Sequence, residues 1–389
     1  MLRTARLNAS FCSKLRNLIS STNKPSVVFA QQRMYTDGGT NDEVVLETVN
    51  NVGTVLLNRP KALNALNLPM IREIYPKFKK WDEDSNVQLI IMKGAGSKAF
   101  CAGGDVRAIA EAGKRGEDLT KTFFKEEYML NYQIGTLKTP FVAIIDGITM
   151  GGGVGLSVHG KYRVATEKTI FAMPETAIGF FPDVGGGYFL PRLEGSLGCY
   201  LALTGHRLRG VDVYFAGVAT HFVHTELIPE LENQLLKCDT GNVKEILSEF
   251  HSKSIEANQT FSLTPSLETI NDIFSASSVH DIFEKLEKNQ SDWAKKQLKI
   301  MKAMSPTSMC VTLEQLKRGK ELSLGNLLAM EYRMSQKFME GVDFYEGIRA
   351  VLVDKDNKPM WSPASVDDVN PDDVSKYFLH LPPEEELVL

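Results

Sequence analysis

The sequence predicts an α/β core over residues 37–225, followed by a helical C-terminal region over residues 226–389 that packs on that core. Three observations carry this. Apolar strand-like runs end repeatedly in glycine or proline turns and hand over to helical periodicity, the order expected of an α/β domain. After about residue 225 the apolar spacing becomes almost wholly helical. No Pro-, Gly- or Ser-rich linker separates the two parts, so the second is not expected to stand as an independent module. A chain of 389 residues, 43% hydrophobic and 24% charged, is long enough for a sizeable core.

Along the chain, "EVVLETVNNVGTVLLNRP" (43–60) reads as two strands around an Asn-Asn-Val-Gly turn, with Pro60 closing the second. "LPMIREIYPKFKKWDED" (68–84) has helical spacing that Pro76 should kink or split. "VQLIIMKGAG" (87–96) is a buried strand running into a glycine turn. "FCAGGDVRAIAEAGK" (100–114) passes from loop to helix, with Asp105 placed to cap it. A helical stretch around 120–136 follows. "TPFVAIIDG" (139–147) is a further strand with the glycines of "GITMGGGVGLSVHG" directly after it, and "KYRVATEKTIFAMPE" (161–175) alternates like a strand pair. Beyond 225, segments such as "NVKEILSEFHSK" and "LAMEYRMSQKFME" carry helical apolar stripes.

The first 36 residues differ from the rest. They contain Arg3, Arg6, Lys14, Arg16, Lys24 and Arg33, five serines and no acidic residue, with Leu7, Phe11, Leu15 and Leu18 at helical spacing. This is the pattern of a mitochondrial transit peptide, with Arg33 just before a cleavage point near Tyr35; a disordered basic arm has a similar composition. Removing these six basic residues would take the net charge from −4 to −10, giving an acidic protein expected in the mitochondrial matrix. Overall charge therefore argues against nucleic-acid binding. No run approaches the roughly 18 apolar residues of a membrane span, so no membrane role is expected. The five cysteines are scattered without a CxxC pair, which points to a reducing compartment. His221 and His224 lack ligand partners at metal spacing in the sequence, and no metal is expected.

The glycine-rich stretch at 147–160 was tested against four chemistries. As a phosphate loop, "GLSVHGKY" has Tyr162 where a magnesium-binding Ser or Thr belongs. As a nucleophile elbow, "GLSVH" puts His159 at the required fifth glycine, and that histidine cannot reach Ser157 from another helix face. No G-x-G-x-x-G fits a dinucleotide fingerprint. The remaining reading uses the backbone: glycines opening a helix expose N–H groups able to hold a developing oxyanion if a second amide converges on the same point. "FCAGGD" offers such a second amide. "FAMPETAIGFFPDVGGG" (171–187) then supplies two acids in apolar surroundings, Glu175 and Asp183, where desolvation suits a carboxyl group to proton transfer.

Taken together and in this order, "LNRPKALNALN", "FCAGGDV", "DGITMGGGVGL" and "MPETAIGFFPDVGG" resemble the crotonase (enoyl-CoA hydratase/isomerase) superfamily over roughly residues 43–220. The resemblance implies a core of β-β-α spiral turns and a site for acyl-CoA thioesters. It assigns the oxyanion-hole amides to Gly104 and Gly152. Hydratases of the superfamily carry one catalytic glutamate in the glycine motif, where this chain has Gly155; the other is retained as Glu175. Asp183 stands where hydratases usually have glycine. That pattern, and a C-terminal half similar to the same branch, resembles the superfamily's thioester hydrolases. The implied reaction is hydrolysis of 3-hydroxyisobutyryl-CoA to the free acid and CoA, a step of valine breakdown.

By the same resemblance Glu127 contacts substrate with Gly152, Glu175 and Asp183. Lys61, a basic residue near the first strands, is a candidate partner for CoA phosphates, with a solvated surface lysine as the alternative. No separate cofactor is implied, since CoA arrives with the substrate. Superfamily members vary in oligomeric state, and a homo-oligomer is compatible with the helical tail. The rival readings are a hydratase or isomerase on another short acyl-CoA, and a non-catalytic acyl-CoA-binding protein.

Overall fold

A tight hairpin opens the fold. β1 (Val44–Val49) pairs antiparallel with β2 (Val52–Leu57), and Asn50 and Asn51 both take left-handed φ, 49° and 67°, as a two-residue hairpin turn requires. The computed structural model describes residues 42–389, and these form one compact unit. The expected transit peptide at 1–36 lies outside the described residues. The turn is shorter than the sequence suggested: Val52 and Gly53 belong to the second strand, where Trp81 packs so closely on Gly53 that a side chain would meet its ring at 2.8 Å.

Two sheets then grow in alternation. The larger runs β1-β2-β3-β5-β7-β10, with β3 (Leu89–Gly94), β5 (Phe141–Ile145), β7 (Tyr162–Ala165) and β10 (His221–Phe222). From β2 onward its neighbours are parallel. The smaller runs β4-β6-β8-β9, with β4 (Ala99–Cys101), β6 (Ile148–Met150), β8 (Ile170–Ala172) and β9 (Leu208–Arg209). β4, β6 and β8 are parallel neighbours, and β9 closes the edge antiparallel. Each consecutive pair, β3/β4, β5/β6 and β7/β8, sends one strand to each sheet before the chain turns into helix. This is a β-β-α spiral. The all-apolar runs of β3 and β5 are buried on both faces, as parallel central strands require.

Local expectations differ from the structure at four further points. The helix Leu68–Glu83 runs through Pro76 without splitting. Met70, Ile71, Ile74, Phe78 and Trp81 are buried on both sides of it, and that burial outweighs the roughly 3 kcal/mol penalty of an interior proline. Asp105 stands at the cap of the helix Val106–Lys114 but makes no capping bond; its carboxylate pairs with Arg59 at 3.3 Å instead. β7 and β8 do not pair, because they enter different sheets. The glycines after "TPFVAIIDG" follow β6 rather than β5, since Ile148–Met150 forms its own short strand.

Helices fill most of the chain after residue 225, among them Pro306–Gly319, Leu324–Glu340 and Asp343–Ile348. Aromatic rings join them to the earlier elements. Phe180 stacks on Phe124 of the helix Leu119–Thr136 at 5.3 Å and meets Phe338 at 5.3 Å and Phe344 at 5.4 Å, while Phe181 stacks on Phe338 at 5.3 Å. Truncating Phe338 would leave a cavity in this cluster. Phe338→Ala is therefore expected to lower unfolding stability by about 3–5 kcal/mol, read as a fall in the urea midpoint with an unchanged slope.

Candidate active site

The predicted segments meet because β4, β6 and β8 lie side by side and parallel. Each runs within three residues of its C-terminal end into a site residue: Gly103 and Gly104 after β4, Gly151 and Gly152 after β6, Glu175 after β8. Outside the carboxyl ends of parallel strands is where α/β folds characteristically place their sites. "LNRPKALNALN" braces the first of these turns. Leu66 N–H donates to Gly103 O at 2.8 Å, Ala102 N–H to Leu63 O at 3.0 Å, and the buried Asn64 amide donates to Ala95 O and Ala99 O.

Among the described residues these bonds leave the Gly104 amide without an acceptor, since Leu66 bonds to its two neighbours, Gly103 and Asp105. Gly152 opens the helix Gly152–Gly155, whose first backbone bonds run from Val154 and Gly155 to Gly151 O, so its N–H is also unused. The two turns are in close contact: a side chain on Gly152 would sit 3.1 Å from Gly104 N and 2.6 Å from Glu127 Oε1. Only glycine fits there. On the other side, the point a Gly151 side chain would occupy is 3.0 Å from Glu175 Oε1, and Gly151 itself holds a left-handed φ of 46°. Two free amides and two carboxyl groups therefore crowd around Gly151–Gly152.

Glu127, Glu175 and Asp183 are all buried. Glu127 Oε1 and Glu175 Oε2 have no hydrogen-bond partner among the described residues. Burial, then the proximity of Asp183, holds both glutamic acids well above the ordinary carboxyl range, and Glu175 adds to the effect on Glu127. Burial also raises Asp183, to about 7, against the bond that Tyr128 donates to its Oδ2 at 2.9 Å. Asp183 is thus the acid best prepared to ionise near neutrality. Lys61 is not gathered with this group; it stands exposed on the turn Pro60–Ala62.

Position 155 is closed. A side chain on Gly155 would meet Val184 Cβ at 2.6 Å and Asn131 Nδ2 at 2.7 Å. A glutamate has no room there while Val184 keeps its place beside Asp183. Ser157 is spent on its own helix, its hydroxyl donating to the Gly153 and Val154 carbonyls, and His159 Nε2 lies 2.7 Å from Val184 O. Neither serves as a nucleophile or its base. His221 and His224 turn to separate partners, Thr220 at 2.8 Å and Glu167 at 3.4 Å. Among the described residues no group of three or more His, Cys, Asp or Glu is arranged to hold a metal ion, and no helix is long and apolar enough to cross a membrane.

Sequence reasoning missed Tyr128, Asn131 and Glu331. Tyr128 and Asn131 share a helix with Glu127; the four-residue spacing could have flagged Asn131, whereas immediate neighbours on a helix do not share a face and Tyr128 left no such mark. Glu331 lies in the helix Leu324–Glu340, and its carboxylate accepts from the Gly185 and Gly187 amides at 2.7 and 3.0 Å. Nothing in the local sequence ties it to the site.

The architecture agrees with the comparisons. The profile of the enoyl-CoA hydratase/isomerase family matches residues 52–378, and the chain belongs to that family. Among solved structures, a carnitinyl-CoA dehydratase from Mycobacterium thermoresistibile superposes with a TM-score of 0.83 at 36% identity, over 90% of this chain and 99% of that one. Within the family the chain is similar to proteins named "3-hydroxyisobutyryl-CoA hydrolase, mitochondrial". The Xenopus tropicalis protein is 57% identical over 87% of this chain and 89% of its own length. The Homo sapiens protein is 51% identical over 95% and 96%.

The raised acids tie stability to pH. Asp183 binds its proton more tightly in the folded state than at its ordinary 3.8, so the folded state holds more protons between about pH 4 and 7 and stability falls as pH rises through that window. Glu175→Gln removes one such buried acid. It is expected to raise the thermal midpoint at pH 7.5 and to flatten the decline between pH 5 and 7.5, measured by calorimetry.

Proposed function

We propose that the chain hydrolyses the thioester of 3-hydroxyisobutyryl-CoA to 3-hydroxyisobutyrate and CoA, in the mitochondrial matrix and as a step of valine breakdown. One observation carries the choice within the family: position 155 is closed by Val184 and Asn131, beside a retained Glu175 and a buried Asp183. Adding water across a double bond uses two glutamates, and this site has no room for the second. The relatives at 51 and 57% identity carry the hydrolase name, whereas the neighbour at 36% is a dehydratase. Identity and site chemistry thus favour the same reaction.

In this reading the Gly104 and Gly152 amides receive the thioester oxygen as it becomes an oxyanion, a preorganised pair needing no reorientation during reaction. Glu175, its Oε1 against Gly151, lies beside that hole, and in this reading reaches the carbonyl carbon of a thioester bound there. This position favours direct attack: a Glu175 oxygen bonds to the acyl carbon, and collapse of the oxyanion breaks the C–S bond and releases CoA thiolate. Water then opens the mixed anhydride, Asp183 accepting its proton, and Glu175 is restored. A general-base route, with Glu175 activating water, uses the same groups. Glu127 on the opposite side of Gly152 contacts substrate. The chemistry uses the chain's own groups, with no metal or redox cofactor.

Release of free thiol across a short acyl-CoA panel tests the reaction. Hydrolysis of 3-hydroxyisobutyryl-CoA without hydration of crotonyl-CoA is expected, and fast crotonyl-CoA hydration would overturn the proposal. Glu175→Gln should lower kcat by ~10²–10⁴, and a variant as fast as the wild type would favour a binding protein instead. The rate should rise with pH along a limb near 7, where Asp183 ionises. After several turnovers in ¹⁸O-water, label found in Glu175 by peptide mass spectrometry is the expected mark of the anhydride; its absence favours the general-base route.

A further inference from the structure

The turn behind Asp183 takes a backbone form that its residues would not choose. Val184, a β-branched residue, holds a left-handed φ of 52°, and Gly185 follows at 86°. Two successive left-handed residues must be fixed from outside. Three side chains do so. Glu331 Oε2 accepts from Gly185 N–H at 2.7 Å, and its Oε1 accepts from Gly187 N–H at 3.0 Å and from Gln315 Nε2 at 2.7 Å. The same Gln315 amide donates to Pro182 O, the residue before Asp183, at 2.8 Å. His159 reaches Val184 O. Glu331 and Gln315 are fully buried, on helices more than 120 residues further along the chain.

We propose that Glu331 is a positioning residue for the thioester reaction: its carboxylate, held by the Gly185 and Gly187 amides and Gln315, fixes the left-handed turn that aims Asp183 into the site. The inference rests on the reading of Asp183 as a group of the reaction. A neutral amide could satisfy one of these donors, but a carboxyl group turns two oxygens toward the two converging N–H groups. The group is also tied to the site electrostatically: burial raises Glu331 to about 8 with Asp183 adding to the effect, and Glu331 in turn helps raise Glu175 and Tyr128. Of the titratable groups around the turn, His159 is pushed down to about 4 by burial, with Arg163 adding to the effect, and is neutral; Arg192 bonds to Tyr188 O beyond it.

The test compares Glu331→Gln, Asp183→Asn and the double variant in the full chain, with 3-hydroxyisobutyryl-CoA as substrate. Glu331→Gln sets an NH₂ group against one backbone N–H and loses one of the two clasping bonds. A fall in kcat of ~10–100-fold is expected, the size of effect typical of outer-shell partners, with KM within about twofold. A turn that no longer fixes Asp183 weakens the Tyr128 bond that holds its pKa down, so the rising limb of the pH–rate profile should move to higher pH, a shift that loosened packing elsewhere would not give. The double variant should be no slower than Asp183→Asn. Additive losses, or a wild-type kcat with an unmoved limb, would overturn the proposal. A wild-type rate for Asp183→Asn would instead overturn the reading of Asp183, a separate failure. If Glu331→Gln does not fold, Gln315→Met keeps the carboxylate and removes its clamp; a kcat loss at steady KM is then expected, and an unchanged kcat overturns the proposal.

Discussion

The parallel pairing of three very short strands sets everything else in this molecule. β4, β6 and β8 contribute three residues each, yet their order in the smaller sheet places three loops from distant parts of the sequence at one edge. Strands in one sheet are about 4.8 Å apart, so the residues leaving their ends are forced within reach of one another. That spacing brings the Gly104 and Gly152 amides together and puts Glu175 beside Gly151. Strands this short cannot hold the arrangement by themselves. The larger sheet anchors them, because each strand of the spiral core is followed at once by its partner in the other layer.

A second constraint is electrostatic. Four carboxyl groups, Glu127, Glu175, Asp183 and Glu331, are buried in one region, and burial raises all four. Such a cluster works against folding, since each acid would ionise more readily in the unfolded chain. The surrounding packing tolerates it: the rings of Phe124, Phe180, Phe181, Phe338 and Phe344 pack through the same region. The four acids are not equivalent. Glu331 is bound by three donors and stays in the wall, while among the described residues Glu127 Oε1 and Glu175 Oε2 have no hydrogen-bond partner.

The two unmatched polar atoms of Asn131 belong to the same pattern. Its amide is fully buried beside Gly155, with neither Nδ2 nor Oδ1 bonded among the described residues. Together with Val184 it fills the space where hydratases of the resembling superfamily carry a second acid. Val184 both blocks position 155 and adjoins Asp183, so a side chain at the first position and the present turn at the second exclude one another.

The sequence by itself determined the alternation of strands and helices, the two glycine turns and the acids Glu175 and Asp183, because each leaves a local mark: apolar runs, missing side chains, charge among hydrophobes. It could also fix Gly155 as the informative absence, by resemblance to a family pattern. It misplaced what depends on distant partners. Pro76 looked like a break until burial on both sides outweighed it, Asp105 looked like a cap until Arg59 took its carboxylate, and β7 and β8 looked like a pair until each found a different sheet. The reach of Tyr128 to Asp183, the closure around Gly155 and the clasp of Glu331 on the Val184 turn were decided only by tertiary structure. The reason is physical. Propensity and pattern act over a few residues, whereas these contacts join side chains between 24 and 146 positions apart, and only packing brings them together.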